Sequence, residues 1–241
     1  MNDEITAIEN NTDAQPSKPT RLAFWANVGL CVVLTGAIFV LARQWGWTLG
    51  WTYVALVAAH FVVITFCVAY WNSVLIGRRM QFGEGTKPWD VVWLVGFTPI
   101  IIAVYVVAMR YPWLEGSPGT PGIAWLIGAA LFVFGWMLLT WSMVANPFFE
   151  KTVRIQTGHR HHVIDTGPYA AIRHPGYVGF SAVLLATPLL LASAWAVLPA
   201  LLAVLALVIR TALEDRTLQA ELDGYAEYTA RVRFRWIPGL W

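Results

Sequence analysis

Hydrophobic positions along this chain come in long unbroken runs, without a polar stripe at helical period. Leu22–Ala42, the stretch between Arg43 and Arg78, Val91–Met109, Gly116–Phe149 and His174–Ile209 each hold no residue of fixed charge. A helix packed on a water-soluble core keeps polar residues on its outer face at a period of about 3.6; these runs do not. At roughly 1.5 Å per residue, Leu22–Ala42 is long enough to cross the ~30 Å hydrocarbon core of a bilayer. The runs predict helices over about 22–42, 51–76, 89–109 (with a kink at Pro99) and 121–145. Gly116–Gly122 alternates Gly, Pro and Ser, which is loop chemistry. Gly176–Ile209 is too long for one untilted span and barely enough for two, and Pro188, Ser193 and Pro199 interrupt it. It predicts a tight helical hairpin with its tip near Ala192–Trp195, of full or shallow depth. Residues 211–232 read as a charged amphipathic helix. The predicted fold class is all-α: a polytopic membrane helical bundle of about five to six transmembrane helices, including the C-terminal hairpin, plus the amphipathic helix on the cytoplasmic side.

Composition points the same way. The chain is 58% hydrophobic and 12% charged, with a mean hydropathy of +0.58; a soluble domain carries about 25% charged residues. The net charge of +2 says little, but its placement says more. With the N-terminus inside and the first four runs each spanning once, all of the 16 Lys and Arg except Arg43 and Arg110 fall on the inner side. That is the positive-inside bias, and it predicts both termini in the cytoplasm. Trp45, Gly46, Trp47 and Trp51 suit an interfacial aromatic belt on the outer side. Cys31 and Cys67 lie in apolar runs and read as small buried hydrophobes, with no disulfide framework. Residues 1–20 are polar and read as a disordered tail, 21–145 as a four-helix membrane region, and 146–241 as the region that carries chemistry. No nucleic-acid module and no nucleotide-phosphate loop is present.

Residues 146–175 are polar and contain His159, His161, His162 and His174, four of the five histidines. A tetrahedral metal site would need ligands beyond the first three, and no Cys lies nearby, so no metal is expected. His60, alone in the second apolar run, needs a polar partner and reads as structural. The segment Gly167-Pro168-Tyr169 to Arg173-His174-Pro175-Gly176-Tyr177-Val178-Gly179 is more specific. Pro175 holds His174 out of the helical region and suits the first turn of the next helix. That helix N-terminus, with Arg173 and His174 just ahead of it, favours an anion. Gly176 and Gly179 would let a ligand approach the backbone closely. Arg210 and Glu214, four apart, share a helix face and could hold each other, a zwitterionic ligand or an acidic substrate. Tyr225 and Tyr228 share a face and would pack under the hairpin or border a cofactor. Arg231, Arg233 and Arg235 are expected at lipid headgroups.

Taken in order, these features resemble the isoprenylcysteine carboxyl methyltransferase family, in particular its bacterial members, within a wider group that holds phospholipid methyltransferases. The matching residues are His162, Gly167, Tyr169, Arg173, His174, Pro175, Tyr177, Gly179, Arg210, Glu214, Leu218, Tyr225, Tyr228 and Pro238, over about 146–241. Asp215 stands where the family often has a second Glu, which keeps the charge and shortens the reach. The resemblance implies a membrane-embedded methyltransferase with S-adenosylmethionine as cofactor, in a bacterial inner membrane, with its active site on the cytoplasmic side. It implies that Gln156, His162, Tyr169, His174 and Tyr177 line the cofactor pocket, that Glu214 meets the cofactor's amino group or the site edge, and that Arg210 orients a substrate carboxylate. Arg210 and Glu214 are thus the catalytic candidates. The partners implied are the bilayer and a lipophilic or lipidated acceptor, with no nucleic acid; the oligomeric state stays open. Alternatives are N-methylation of phospholipid headgroups, or a transporter or scaffold without catalysis. Sterol reductases share a similar Arg-His motif, but Arg-His-Pro is closer to the methyltransferases.

Overall fold

The computed structural model describes residues 48–75, 85–110, 122–155 and 161–241. The helix expected over 22–42, the N-terminal tail, Cys31, Trp45 and Trp47 lie outside the described residues. The described residues form α1 (Thr48–Trp71), α2 (Pro88–Arg110), α3 (Ile123–Ala145), a 3₁₀ turn (Gly167–Ala170), α4 (Pro175–Leu190), α5 (Val197–Glu221) and α6 (Tyr225–Arg231), with no strand among them. Helices α1, α2, α3 and α5 are long and apolar enough to cross a membrane. Their outward side chains stay uncovered: Val92 is 73% exposed and Met137 66%. Side chains of this kind belong against lipid, so this is an integral membrane protein.

In a bilayer every backbone group must be satisfied within the segment, which is why these runs are helical. The hydroxyls inside them obey the same constraint. Thr65 donates to Phe61 O, Thr98 to Leu94 O, Ser142 to Leu138 O and Thr187 to Val183 O, each one turn back. His60 stacks on Trp136 with ring centroids 4.1 Å apart and has Thr140 Oγ1 at 3.3 Å, which gives it the structural partner expected.

Glycine sets the tightest helix crossing. A Cβ on Gly179 of α4 would sit 2.5 Å from Gly135 O of α3, and one on Gly135 would sit 2.6 Å from Gly179 O. The two backbones therefore touch directly. The hairpin between α4 and α5 turns at 191–196, where Ala192 takes φ 50° and Ser193 N–H closes on Pro188 O at 2.8 Å. After the turn the structure departs from the expected break near residue 210. Val197–Glu221 is one continuous helix, because no Gly or Pro interrupts it beyond Pro199. The break falls at Gly224, whose φ of 80° is left-handed. Beyond it lies the short α6, in place of the helix expected over 211–232.

These connections bring one end of each helix together. Asn72, just past α1, donates to Met143 O at 2.7 Å and Asn146 O at 3.1 Å, capping the last turn of α3. The first turns of α2 and α4 and the last turns of α5 meet at the same end and enclose a hollow.

Candidate functional site

Pro175 opens α4 with His174 as its N-cap residue. The extended segment Val232–Arg235 runs beside the Arg-His pair. Arg173 N–H donates to Phe234 O at 2.9 Å and His174 N–H to Arg235 O at 3.0 Å. Arg173 Nη1 donates to both Val232 O and Arg233 O at 2.8 Å, while Nε and Nη2 grip Asp215 at 2.8 and 2.9 Å. The Arg173 guanidinium is thus committed to the scaffold. Asp215, with no exposed surface, also accepts from Tyr225 OH at 3.0 Å, Gln219 Nε2 at 2.9 Å and Arg235 Nε at 2.8 Å, and has His174 Nε2 at 3.2 Å. The shorter carboxylate reaches all of these partners. Arg235, expected at lipid headgroups, is drawn inward by this buried charge; Arg231 pairs with Asp165 at 2.7 Å and Arg233 is exposed.

A cavity of about 420 Å³ opens between this knot and the helix ends. That volume falls within the roughly 300–1,000 Å³ of small-molecule sites. His162, Tyr169, His174, Tyr177, Arg210 and Glu214 all line it, so two stretches about forty positions apart share one hollow. Gln156 lies outside the described residues. Aromatic walls come from Trp93, Phe97, Phe148 and Phe149, and Glu150 to Arg154 form part of the cover. Arg154 forks onto Glu150 at 2.6 and 2.8 Å. His161 and His162 lie against the Phe148 ring, at centroid distances of 4.3 and 5.1 Å.

Tyr169 is set by three contacts. Its hydroxyl accepts from Asn146 Nδ2 at 3.3 Å and donates to Ser142 O at 3.4 Å, while its carbonyl accepts from Tyr228 OH at 2.7 Å. Burial pushes the Tyr169, Tyr225 and Tyr228 phenols above their ordinary value, and the Asp215 charge adds to this at Tyr225. All three therefore stay neutral donors around pH 7.

Arg210 and Glu214 do not pair with each other. Glu214 accepts a short hydrogen bond from Tyr177 OH and makes no ion pair among the described residues. Arg210 instead faces Asp90 of α2, with Nε 2.9 Å from Oδ1 and Nη2 3.0 Å from Oδ2. Asp90 has no exposed surface and would otherwise be an uncompensated buried charge, so it takes the guanidinium. One of the two glycines behaves differently from the expectation. The open side of Gly179 is filled by the α3 backbone, so helix packing uses the space expected there for a ligand, whereas Gly176 lines the cavity beside the Phe149 ring. Sequence reading missed Asp90, Trp93, Asn146 and Glu150, which line the cavity or brace the residues that do. Asp90 carried one signal, a carboxylate at the very start of an apolar span.

The fold and the cavity define a polytopic membrane protein with a ligand-sized hollow where its helix ends converge. Residues 127–220 match the model of the isoprenylcysteine carboxyl methyltransferase family. The structure is also similar to that of the eukaryotic intramembrane Ras methyltransferase, isoprenylcysteine carboxyl methyltransferase, solved without a monobody. The TM-score is 0.53 at 20% identity, covering 89% of this chain and 74% of that one. No match is found among curated proteins. The family match agrees with the resemblance over the motif residues from His162 to Leu218, and the solved structure shares the fold. The matched segment runs from within α3 to within α5, so Asp90 and the Tyr225–Trp241 segment lie outside it.

Proposed function

We propose that this protein is a methyltransferase that uses S-adenosylmethionine to methylate a lipophilic acceptor in the bilayer. The observation that carries the reading is Glu214, a cavity-lining carboxylate that accepts from Tyr177 OH and makes no ion pair among the described residues, with Arg210 acting on it only through space. Such a group suits the ammonium of the cofactor. The aromatic walls suit its apolar faces, and His162, Tyr169, His174 and Tyr177 supply polar atoms that fix its orientation. Bound there, the cofactor would supply a methyl group on a sulfonium, open to in-line displacement. The chain's own part is to align acceptor and donor and to exclude water. Arg210 would orient an acceptor carboxylate, which is ionised at neutral pH and needs no base. The basic residues at the cavity end support a cytoplasmic site, and the resemblance to bacterial members suggests a bacterial inner membrane.

One observation favours a second acceptor class. Asp90 already holds the Nε/Nη2 edge of Arg210, so a substrate carboxylate cannot take that fork. An amine, as in a phospholipid headgroup, needs no guanidinium, and it would lose its proton to Glu214 or a histidine. The experiment is incubation of purified protein with methyl-labelled S-adenosylmethionine and total membrane lipid extract, with the labelled product then identified. A methyl ester supports the first acceptor and an N-methyl product the second. No transfer, together with no binding of S-adenosylhomocysteine, would return the protein to the transporter or scaffold class.

A further inference from the structure

We propose that Asp90 is a positioning residue of this site, acting through Arg210, although it lies 120 positions earlier in the chain and outside the segment that matches the family. The inference rests on the cavity being the methyl-transfer site. Asp90 sits in the first turn of α2 with no exposed surface, and Arg210 on α5 is 7% exposed. The carboxylate lies along one edge of the guanidinium: Nη2 donates to Oδ2 at 3.0 Å, while Nε and Oδ1, 2.9 Å apart, make an ion pair without hydrogen-bond geometry. Trp93, one turn further along α2, lies under the guanidinium at 4.5 Å, and Tyr177 lies at 5.7 Å. One turn of α2 thus supplies both the counter-charge and an aromatic slab.

The same pair holds the cavity wall. Asp90 Oδ2 accepts from Val153 N–H at 2.7 Å, and Arg210 Nη2 donates to Lys151 O at 2.7 Å. Lys87 N–H adds a bond to Val153 O at 3.0 Å. Nη2 is bonded to Asp90 Oδ2 and Lys151 O and Nε packs against the Asp90 carboxylate, so Nη1 is the nitrogen that a ligand in the cavity would meet. An apolar pair of similar volume would serve a membrane core at least as well as a buried ion pair. The arrangement therefore makes sense as a device that aims Arg210 and seats Lys151–Val153. It lets an anionic acceptor meet one guanidinium nitrogen and denies it the fork.

The test compares wild type with Asp90→Asn, Asp90→Ala, Arg210→Ala and the double alanine variant, purified in detergent. The probe acceptor is N-acetyl-S-farnesylcysteine, and S-adenosylhomocysteine reports the cofactor pocket. Asp90→Asn is expected to raise the acceptor KM about tenfold while cofactor affinity stays within about threefold, and the double variant to transfer methyl no more slowly than Arg210→Ala alone. A residue that merely supports the fold would move both ligands together. Wild-type acceptor KM in Asp90→Asn, or losses that multiply in the double variant, would overturn the proposal. If wild type transfers no methyl to this probe, the carboxylate reading fails separately. Melting temperatures then decide: a double variant melting above either single variant keeps the coupling, and additive losses end it. Where an alanine variant does not fold, Asp90→Asn and Arg210→Gln replace it in both arms.

Discussion

At Asp215 a single carboxylate with no solvent exposure satisfies two guanidinium groups, a phenol and an amide, and has an imidazole alongside. Truncating it leaves Arg173 buried without its counter-charge, which costs about 3–5 kcal/mol. Asp215→Ala is therefore expected to lower the melting temperature sharply in detergent; a wild-type melting curve would contradict the hub. Glu214 differs in kind, since its partner is a neutral phenol. Glu214→Ala should insert and fold normally yet bind S-adenosylhomocysteine roughly tenfold or more weakly, as the loss of a charged hydrogen bond implies. His174→Ala is expected to weaken the same binding, and isothermal titration of both variants checks this. His174, Tyr177, Arg210 and Glu214, which line the cavity, were legible from the Arg-His-Pro and Arg-x-x-x-Glu stretches. Their partners were not, because Arg210 chooses Asp90 across the bundle over Glu214 one turn away.

Among elements, the α3–α4 crossing is decided by two missing side chains. Gly179→Ala would bring a methyl to 2.5 Å from Gly135 O and 2.8 Å from Leu139 N, both backbone atoms that cannot swing aside. Overpacking of this sort costs about 1–3 kcal/mol. Because α4 also carries His174 and Tyr177, the variant should lose both thermal stability and S-adenosylhomocysteine affinity. A variant with unchanged melting would mean that the two helices do not touch at these glycines. Gly179 was recognisable in the sequence as a place of close approach, but a single glycine does not say whether ligand or helix approaches. The extent of α5 was misjudged for a related reason. The change from apolar to charged residues at Arg210 marks where the helix leaves hydrocarbon, and a helix does not end there unless its backbone is broken.

For the whole molecule, the spans face lipid and the candidate site is where their connections converge. Reporter insertion within 146–155 or 161–175 is expected to map to the cytoplasmic side, the same side as the C-terminus; an external signal there would reverse the topology. S-adenosylhomocysteine is expected to raise the melting temperature in a concentration-dependent way, since a ligand that binds only the folded state must stabilise it. No shift at saturating ligand would remove the cofactor reading while leaving the fold untouched.

The sequence by itself determined the membrane class, the positions of most helices, the hairpin near Ala192 and the family resemblance. These come from local physics: in hydrocarbon each backbone group bonds one turn away, so an apolar run of sufficient length must be a helix. Tertiary structure alone decided which charges compensate one another. Arg173 meets Asp215, and Arg210 meets Asp90 from another helix. A buried charge accepts whichever opposite charge the packing brings within about 3 Å, and nothing in the spacing along the chain encodes that distance.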